Sequence, residues 1–85
     1  MKYTLVNQHS ENSMRLQSIG IVHGTPAKNI KEGDFLMFNF GSVYSVNKII
    51  KETEKTITIE TSPKNSDKVY SQQFNKNRLV CILTN

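Results

Sequence analysis

At residues 56–61 the chain reads T-I-T-I-E-T, with isoleucines at 57 and 59 and polar residues at the other positions. Successive side chains of a β-strand point to opposite faces, so this pattern predicts a strand with Ile57 and Ile59 in the core. An apolar stretch at 43–50 and a charged connector at 51–55 precede it. We predict that 43–50 and 56–61 pair as an antiparallel hairpin.

The composition favours strands throughout the chain. Alanine occurs once, at Ala27, whereas Ile, Val and Thr make up 21 of 85 residues, and β-branched side chains suit a pleated surface better than a helix. Further strands are predicted at 3–7, 14–23, 35–39, 68–74 and 78–83. Short strands at such spacing are typical of a small barrel or sandwich, so we predict an all-β, SH3-like or related small barrel of about five to seven short antiparallel strands.

The length of 85 residues predicts one domain, spanning 1–85, with a small core. A small core gives modest stability, so a homo-oligomer that adds an interface is one expectation. No apolar run approaches the roughly 18 residues of a membrane span, and the polar residues that follow the first apolar stretch do not resemble a leader. We therefore expect a cytoplasmic protein.

Residues that could carry catalysis are few. His9 and His23 are the only imidazoles, and Cys81 lies in a predicted core strand, so neither a zinc site nor a Cys–His nucleophile is predicted. Asp34 follows a glycine, where a carboxylate usually binds backbone N–H groups of a turn. We predict a protein that is not an enzyme, with no catalytic residues, metal or cofactor.

One long pattern covers about two thirds of the chain. From Ala27 to Ile82 it runs A-x-x-I-x-x-G-D-F-L-x-x-N-x-G-x-x-x-x-V-x-x-I, then T-I-T-I, then R-L-V-x-I. This pattern resembles small bacteriophage- and prophage-encoded proteins, and the I-x-x-G-D loop before a core strand is similar to SH3-like barrels and the β-rich core of Hint domains. The resemblance implies a viral accessory protein in the host cytoplasm. Hint chemistry is not implied, because Hint domains begin with a Cys or Ser nucleophile and end with His-Asn, whereas this sequence begins with Met1 and has Thr84 directly before Asn85.

The first candidate site is a strand face on which cations and aromatic residues alternate. Lys68, Tyr70, Gln72 and Phe74 share this face, and Lys76 and Arg78 follow it. Cations beside aromatic rings can track phosphates and stack bases. The nucleic-acid-binding residues that we predict are Lys68, Tyr70, Lys76 and Arg78. The alternative is that Tyr70 and Phe74 belong to the core and Lys68 is merely solvated.

The second candidate site is the aromatic segment around Asn39 and Gly41. In a regular strand Phe38 and Phe40 point to the face opposite Phe35, so one face is predicted to be a partner surface or a dimer seam. We assign Phe38, Phe40 and Tyr44 to this partner surface. The alternative is that a closed barrel covers both faces.

The net charge of +4 and the sequence pI near 9.4 are compatible with a polyanionic partner. Nine lysines and nine asparagines also suggest an A/T-rich coding sequence, which can raise the lysine count without selection for charge. We predict a non-enzymatic module that binds single-stranded nucleic acid with little sequence preference. The alternatives are a phage inhibitor that contacts a host defence protein, and an oligomer that sequesters a small ligand between subunits.

Overall fold

The computed structural model describes residues 1–84, and Asn85 lies outside the described residues. Within 1–84 the chain forms eight strands and no α-helix, which confirms the all-β class. The strands are β1 (Ser13–Leu16), β2 (Gly20–His23), β3 (Thr25–Pro26), β4 (Phe35–Met37), β5 (Val43–Glu52), β6 (Thr56–Pro63), β7 (Tyr70–Asn75) and β8 (Leu79–Ile82). Two 3₁₀ turns cover Ala27–Asn29 and Asn39–Gly41. No helix in this part of the chain has the length and apolarity that crossing a membrane requires.

The strands form two antiparallel sheets. β1 and β2 pair with each other, and the other six strands form one sheet in the order β3-β8-β4-β5-β6-β7. The predicted closed barrel is wrong, because β3 and β7 remain edges, and the described chain has eight strands rather than five to seven. Pro26 lacks an N–H, and the chain enters the Ala27–Asn29 turn directly after it, so β3 is too short to pair with β7.

A short connection nevertheless forces the large sheet to curl. β8 and β7 stand four strand spacings apart, which is about 19 Å in a flat sheet. The chain from Asn75 to Leu79 can span at most about 14 Å, even when fully extended. It is not extended, because the Arg78 N–H donates to the Asn75 carbonyl at 3.0 Å. The sheet therefore has a concave face and a convex face.

The predicted hairpin is confirmed. β5 pairs antiparallel with β6, with Val46 opposite Thr61 and Ile49 opposite Ile59. Ile57 and Ile59 are 1% and 0% exposed, as the alternation predicts. Both strands are longer than predicted, since β5 takes the first two residues of the charged connector and β6 extends to Pro63.

Two bulges in β5 keep its apolar residues on the concave face. The register shifts after Val46 and again after Ile49, so Asn47 and Ile50 have no partner in β6. Each extra residue reverses the alternation, which leaves Ile50 half exposed on the other side. Glu32 supports the bulged segment by accepting a hydrogen bond from the Ile49 N–H at 3.1 Å.

The core has two parts, one on each face of the large sheet. The larger cluster fills the concave face and consists of Ala27, Ile30, Leu36, Val46, Ile57, Ile59, Phe74 and Val80. The smaller cluster lies between the β1–β2 hairpin and the convex face and consists of Leu16, Val22, Met37 and Cys81. The hairpin thus covers the back of the sheet where β4 pairs with β8.

The prediction of one strand over 14–23 is wrong, because β1 and β2 are separate strands of a hairpin. Ser18 and Gly20 adopt positive φ values of 68° and 121°, which reverse the chain between the strands. The predicted N-terminal strand is reduced to single bridges, in which Lys2 pairs with Thr84 and Leu5 with Val22. The N-terminus is therefore attached to both sheets without extending either.

The burial of Ile57 gives a first prediction. Ile57→Ala should lower the free energy of unfolding by about 2–4 kcal/mol, because it opens a cavity in the concave core. Ile50→Ala removes the same atoms from the exposed bulge and should cost less than about 0.5 kcal/mol. Denaturant titration of both variants measures the difference, and equal losses would contradict the bulged register.

Cys81 gives a second prediction. It is a free thiol, 2% exposed, and burial raises its pKa. The free energy from keeping this thiol neutral is fully present below its ordinary pKa and is lost as the pH rises through the raised native value. A thiol reagent at pH 8 should modify the native protein slowly and the denatured protein fast. Equal rates would contradict the packing of β8 against the β1–β2 hairpin.

Candidate functional site

An open groove of about 410 Å³ lies at the rim of the concave face, where β4, β5 and β7 leave the core. Its lining consists of Phe38, Asn39, Ser42, Tyr44, Tyr70, Ser71 and Gln72. We call it the aromatic groove. Its volume falls within the range of small-molecule binding sites.

Three aromatic rings form a ladder along the groove. The ring centroids of Phe38 and Tyr44 are 5.4 Å apart, and those of Tyr44 and Tyr70 are 6.4 Å apart. Both pairs meet edge to face, an arrangement that the ring quadrupoles favour. The structure thereby joins two sites that the sequence predicted separately, because Tyr70 comes from the first and Phe38 and Tyr44 from the second.

Strand register explains why these rings meet. Tyr70 on β7 lies opposite Thr61 on β6, and Thr61 lies opposite Val46, two residues from Tyr44 on β5. Paired residues share a face, so Tyr44 and Tyr70 both point to the concave side. Phe38 joins them because its N–H donates to the Ser42 carbonyl at 2.8 Å, which brings the chain after β4 back toward β5.

A narrower cleft of about 140 Å³ adjoins the aromatic groove and shares Phe38 and Asn39 with it. Both arginines of the chain, Arg15 and Arg78, line this arginine cleft. The Arg78 guanidinium carbon lies 5.1 Å from the centre of the buried Phe74 ring, a cation–π contact that holds the side chain at the concave face. The arginine cleft is thus the cationic continuation of the groove.

The other end of the groove also carries a cation. A depression of about 350 Å³ shares Ser42 and Tyr44 with the groove and is lined further by Pro63 and Lys64. The Lys64 N–H donates to the Val43 carbonyl at 2.9 Å, which fixes this residue beside the end of β5. We call this depression the lysine end.

The three adjoining hollows have a uniform charge. Arg15, Arg78 and Lys64 are their ionised side chains, and among residues 1–84 no acidic residue lines any of them. The rings stand between the cations. This arrangement can hold a chain of negative charges along its length and planar groups at its centre.

The two predicted lysines lie elsewhere. Lys76 is mostly buried, with its Nζ 2.7 Å from Oε2 of Glu52, beyond the other end of the concave core. Lys68 is exposed and precedes β7 rather than belonging to it, so it does not share a strand face with Tyr70. Of the four predicted nucleic-acid-binding residues, the structure brings only Tyr70 and Arg78 to the groove and its cleft.

Phe40 does not lie with Phe38 and Tyr44, the other residues of the predicted partner surface. It is 69% exposed and lies outside the groove lining, on the 3₁₀ turn. Its φ of 64° is left-handed, a conformation that costs about 1–2 kcal/mol for a residue with a Cβ. Two hydrogen bonds to Gln17 hold it there: the Phe40 N–H donates to the Gln17 carbonyl, and Oδ1 of Asn39 accepts from the Gln17 N–H, both at 2.8 Å.

Asp34 has the structural role that the sequence predicted. Its carboxylate accepts a hydrogen bond from the Lys31 N–H at 2.8 Å, and its own N–H donates to the Lys31 carbonyl. Over residues 1–84, no cluster of three or more His, Cys, Asp or Glu side chains has a metal-binding arrangement.

Sequence reasoning missed Arg15 and Lys64 as site residues, and it gave no role to the carboxamides Asn39 and Gln72 within its two candidate sites. Arg15 carried a usable signal, since it is one of only two arginines in a lysine-rich chain. Nothing in the sequence places Lys64 beside Tyr44, because that contact depends on the end of β6 lying against the start of β5.

Comparison with protein-family models, curated proteins and solved structures finds no match to this chain.

The strained turn gives a third prediction. Phe40→Gly and Phe40→Ala remove the same exposed ring, but only alanine retains the left-handed strain. The glycine variant should therefore exceed the alanine variant in free energy of unfolding by about 1 kcal/mol, the reverse of the usual order. Denaturant titration measures this, and a more stable alanine variant would contradict the geometry of the turn.

Proposed function

We propose that this protein is a non-enzymatic module that binds single-stranded nucleic acid along the aromatic groove. Bases stack on the exposed part of Tyr70 and the ring of Tyr44. Phosphates approach Arg15 and Arg78 at one end and Lys64 at the other. Bacteriophage origin and action on a host macromolecule, which the sequence resemblance implies, stay predictions.

One observation carries this proposal: cations line the two hollows that adjoin the ladder of aromatic rings, and no acidic residue lines any of the three hollows within residues 1–84. Proteins that bind single strands combine a positively charged groove with aromatic stacking platforms. A net charge of +4 alone would not support the assignment, because coding bias can raise the lysine count. The positions of both arginines at the groove are the stronger support.

The groove favours single strands over duplexes. In a duplex the base faces are stacked on each other and cannot reach a ring inside a hollow, whereas bases of a single strand can unstack and enter. Tyr70 is 47% exposed, so about half of its surface is free to take a base.

The expected energies of phosphate contacts and of base stacking indicate which of the two contributes more to affinity. Three cations can contact about three phosphates, which predicts a log–log salt slope no steeper than about −2 on a single strand. Stacking contributes about 1–3 kcal/mol per base and depends little on salt. We therefore expect modest affinity, in which Tyr70 matters at every salt concentration and the arginines matter mainly at low salt.

A second candidate function is binding of a protein partner through Phe40. A large aromatic side chain that is mostly exposed and held in a strained conformation is typical of an interface anchor. This surface is next to the groove but separate from it, so the two functions can be tested with different variants.

The fourth prediction tests the nucleic-acid proposal by fluorescence anisotropy with labelled single and double strands at low and moderate salt. Tyr70→Ala should weaken single-strand binding by about 1–3 kcal/mol, roughly 5- to 150-fold. Arg78→Ala should weaken binding at low salt and flatten the salt slope by up to about 0.7.

Lys76→Ala and Phe40→Ser are the matched controls. Lys76→Ala removes the same charge as Arg78→Ala but breaks an ion pair with Glu52, and Phe40→Ser removes an exposed ring outside the groove. Both should leave binding nearly unchanged. If the wild type binds no single strand at low salt, the proposal is wrong and the protein-partner function takes its place.

A further inference from the structure

The aromatic groove contains two carboxamide side chains, Asn39 and Gln72, from distant parts of the chain. Asn39 lies on the 3₁₀ turn after β4, and Gln72 lies on β7. Stacking on aromatic rings alone tolerates every base, because every base has a π-face. Carboxamides can discriminate, since each carries a donor and an acceptor.

Asn39 is fixed with its donor group free. Its Oδ1 accepts a hydrogen bond from the backbone N–H of Gln17 at 2.8 Å. Within the amide group only the oxygen can accept from an N–H, so this contact distinguishes Oδ1 from Nδ2. The Nδ2 group makes no hydrogen bond within residues 1–84 and is the donor that Asn39 can offer a ligand.

Gln72 has the opposite polarity in the structure. Its Nε2 donates to the hydroxyl of Thr61 at 2.9 Å, and Thr61 is completely buried. In this orientation the carbonyl oxygen Oε1 is left as an acceptor. The groove therefore offers one donor and one acceptor beside the aromatic ladder.

We propose that this pair reads the edge of one nucleobase stacked in the groove, with Asn39 donating to a base acceptor and Gln72 accepting from a base donor. This inference rests on the proposed function and replaces the expected lack of sequence preference with selectivity at one position. Natural bases carry donors and acceptors at different places on their edges, so a fixed pair fits them unequally. A base that leaves either amide unpaired lacks a hydrogen bond that a matching base makes, so it binds less tightly.

The experiment measures binding of labelled single-stranded homo-oligomers of A, C and T to the full chain by fluorescence anisotropy at fixed salt. We expect the tightest and weakest to differ by about tenfold or more, within the discrimination that a good pair of base-edge hydrogen bonds provides.

Two variants with the same charge change separate edge recognition from electrostatics. Asn39→Asp keeps an oxygen for the Gln17 N–H and turns the free donor into an acceptor. Gln72→Glu keeps a free acceptor, because the Thr61 hydroxyl can donate to the carboxylate. Each adds one negative charge to the groove. Gln72→Glu should weaken all three oligomers by a common factor and preserve their ranking, whereas Asn39→Asp should change the ranking.

A third variant keeps the test decisive if Asn39→Asp loses the turn and unfolds. Gln72→Met has nearly the same shape without the acceptor, and it should reduce the ratio between the tightest and weakest oligomer to less than about threefold. Thermal unfolding of each variant establishes that it is folded.

The outcomes distinguish the two proposals. If the wild type binds all three oligomers within about twofold, edge recognition is wrong and sequence-neutral binding stands. If Asn39→Asp and Gln72→Glu both preserve the ranking, edge recognition by Asn39 is likewise overturned. If the wild type binds none of them at low salt, the proposed function fails and this inference fails with it.

Discussion

The connection between β7 and β8 is the constraint on which the rest of the structure depends. It joins strands four spacings apart in the sheet with the residues 76–78, so the sheet must curl. The backbone reinforces the curl from outside the sheet, because the Ala27 N–H donates to the Arg78 carbonyl and the Lys28 N–H to the Lys76 carbonyl. The Ala27–Asn29 turn thus lies where a pairing between β3 and β7 would otherwise close a barrel. The concave core and the aromatic groove at its rim both follow from this geometry.

A curled sheet needs strands that bend without losing their apolar face, and β5 meets this need with two bulges. A regular ten-residue strand that places Val46 inward would also place Lys48 and Ile50 inward and Ile49 outward. The bulges instead place Ile49 inward and Lys48 outward, and they leave Asn47 and Ile50 without a partner in β6. The Glu32 carboxylate stabilises the bulged segment by accepting a hydrogen bond from the Ile49 N–H. Both bulges follow Val46, so the pairing before them stays regular and places Tyr44 at the same rim as Tyr70.

The sequence predicted the parts of this fold that depend on local alternation. The T-I-T-I pattern placed Ile57 and Ile59 in the core correctly, and the apolar run around Cys81 predicted its burial. The bulges could not be predicted, because the residues 47 and 50 differ from their neighbours only in their partners across the sheet. The hairpin within 14–23 was missed for a related reason: Gly20 indicated a bend, but nothing local distinguishes a bend from a reversal.

The sequence predicted the candidate site only in fragments, because residues that are distant along the chain form it together. Sequence reasoning grouped Tyr70 with the lysines nearest to it along the chain, whereas the curled sheet groups it with Tyr44 and Phe38, which lie more than twenty residues away. Four of the seven acidic side chains make contacts outside the groove lining: Asp34 and Glu32 accept from backbone N–H groups, and Glu52 and Glu60 contact lysines.

Two of the eleven Lys and Arg side chains, Lys48 and Lys76, each form an ion pair within residues 1–84. The three cations that line the hollows beside the aromatic groove are among the others, so their fields add around the groove. The fold therefore leaves the groove flanked by cations without carboxylates in the same linings, and this is the charge pattern on which the proposed binding of an anionic chain depends.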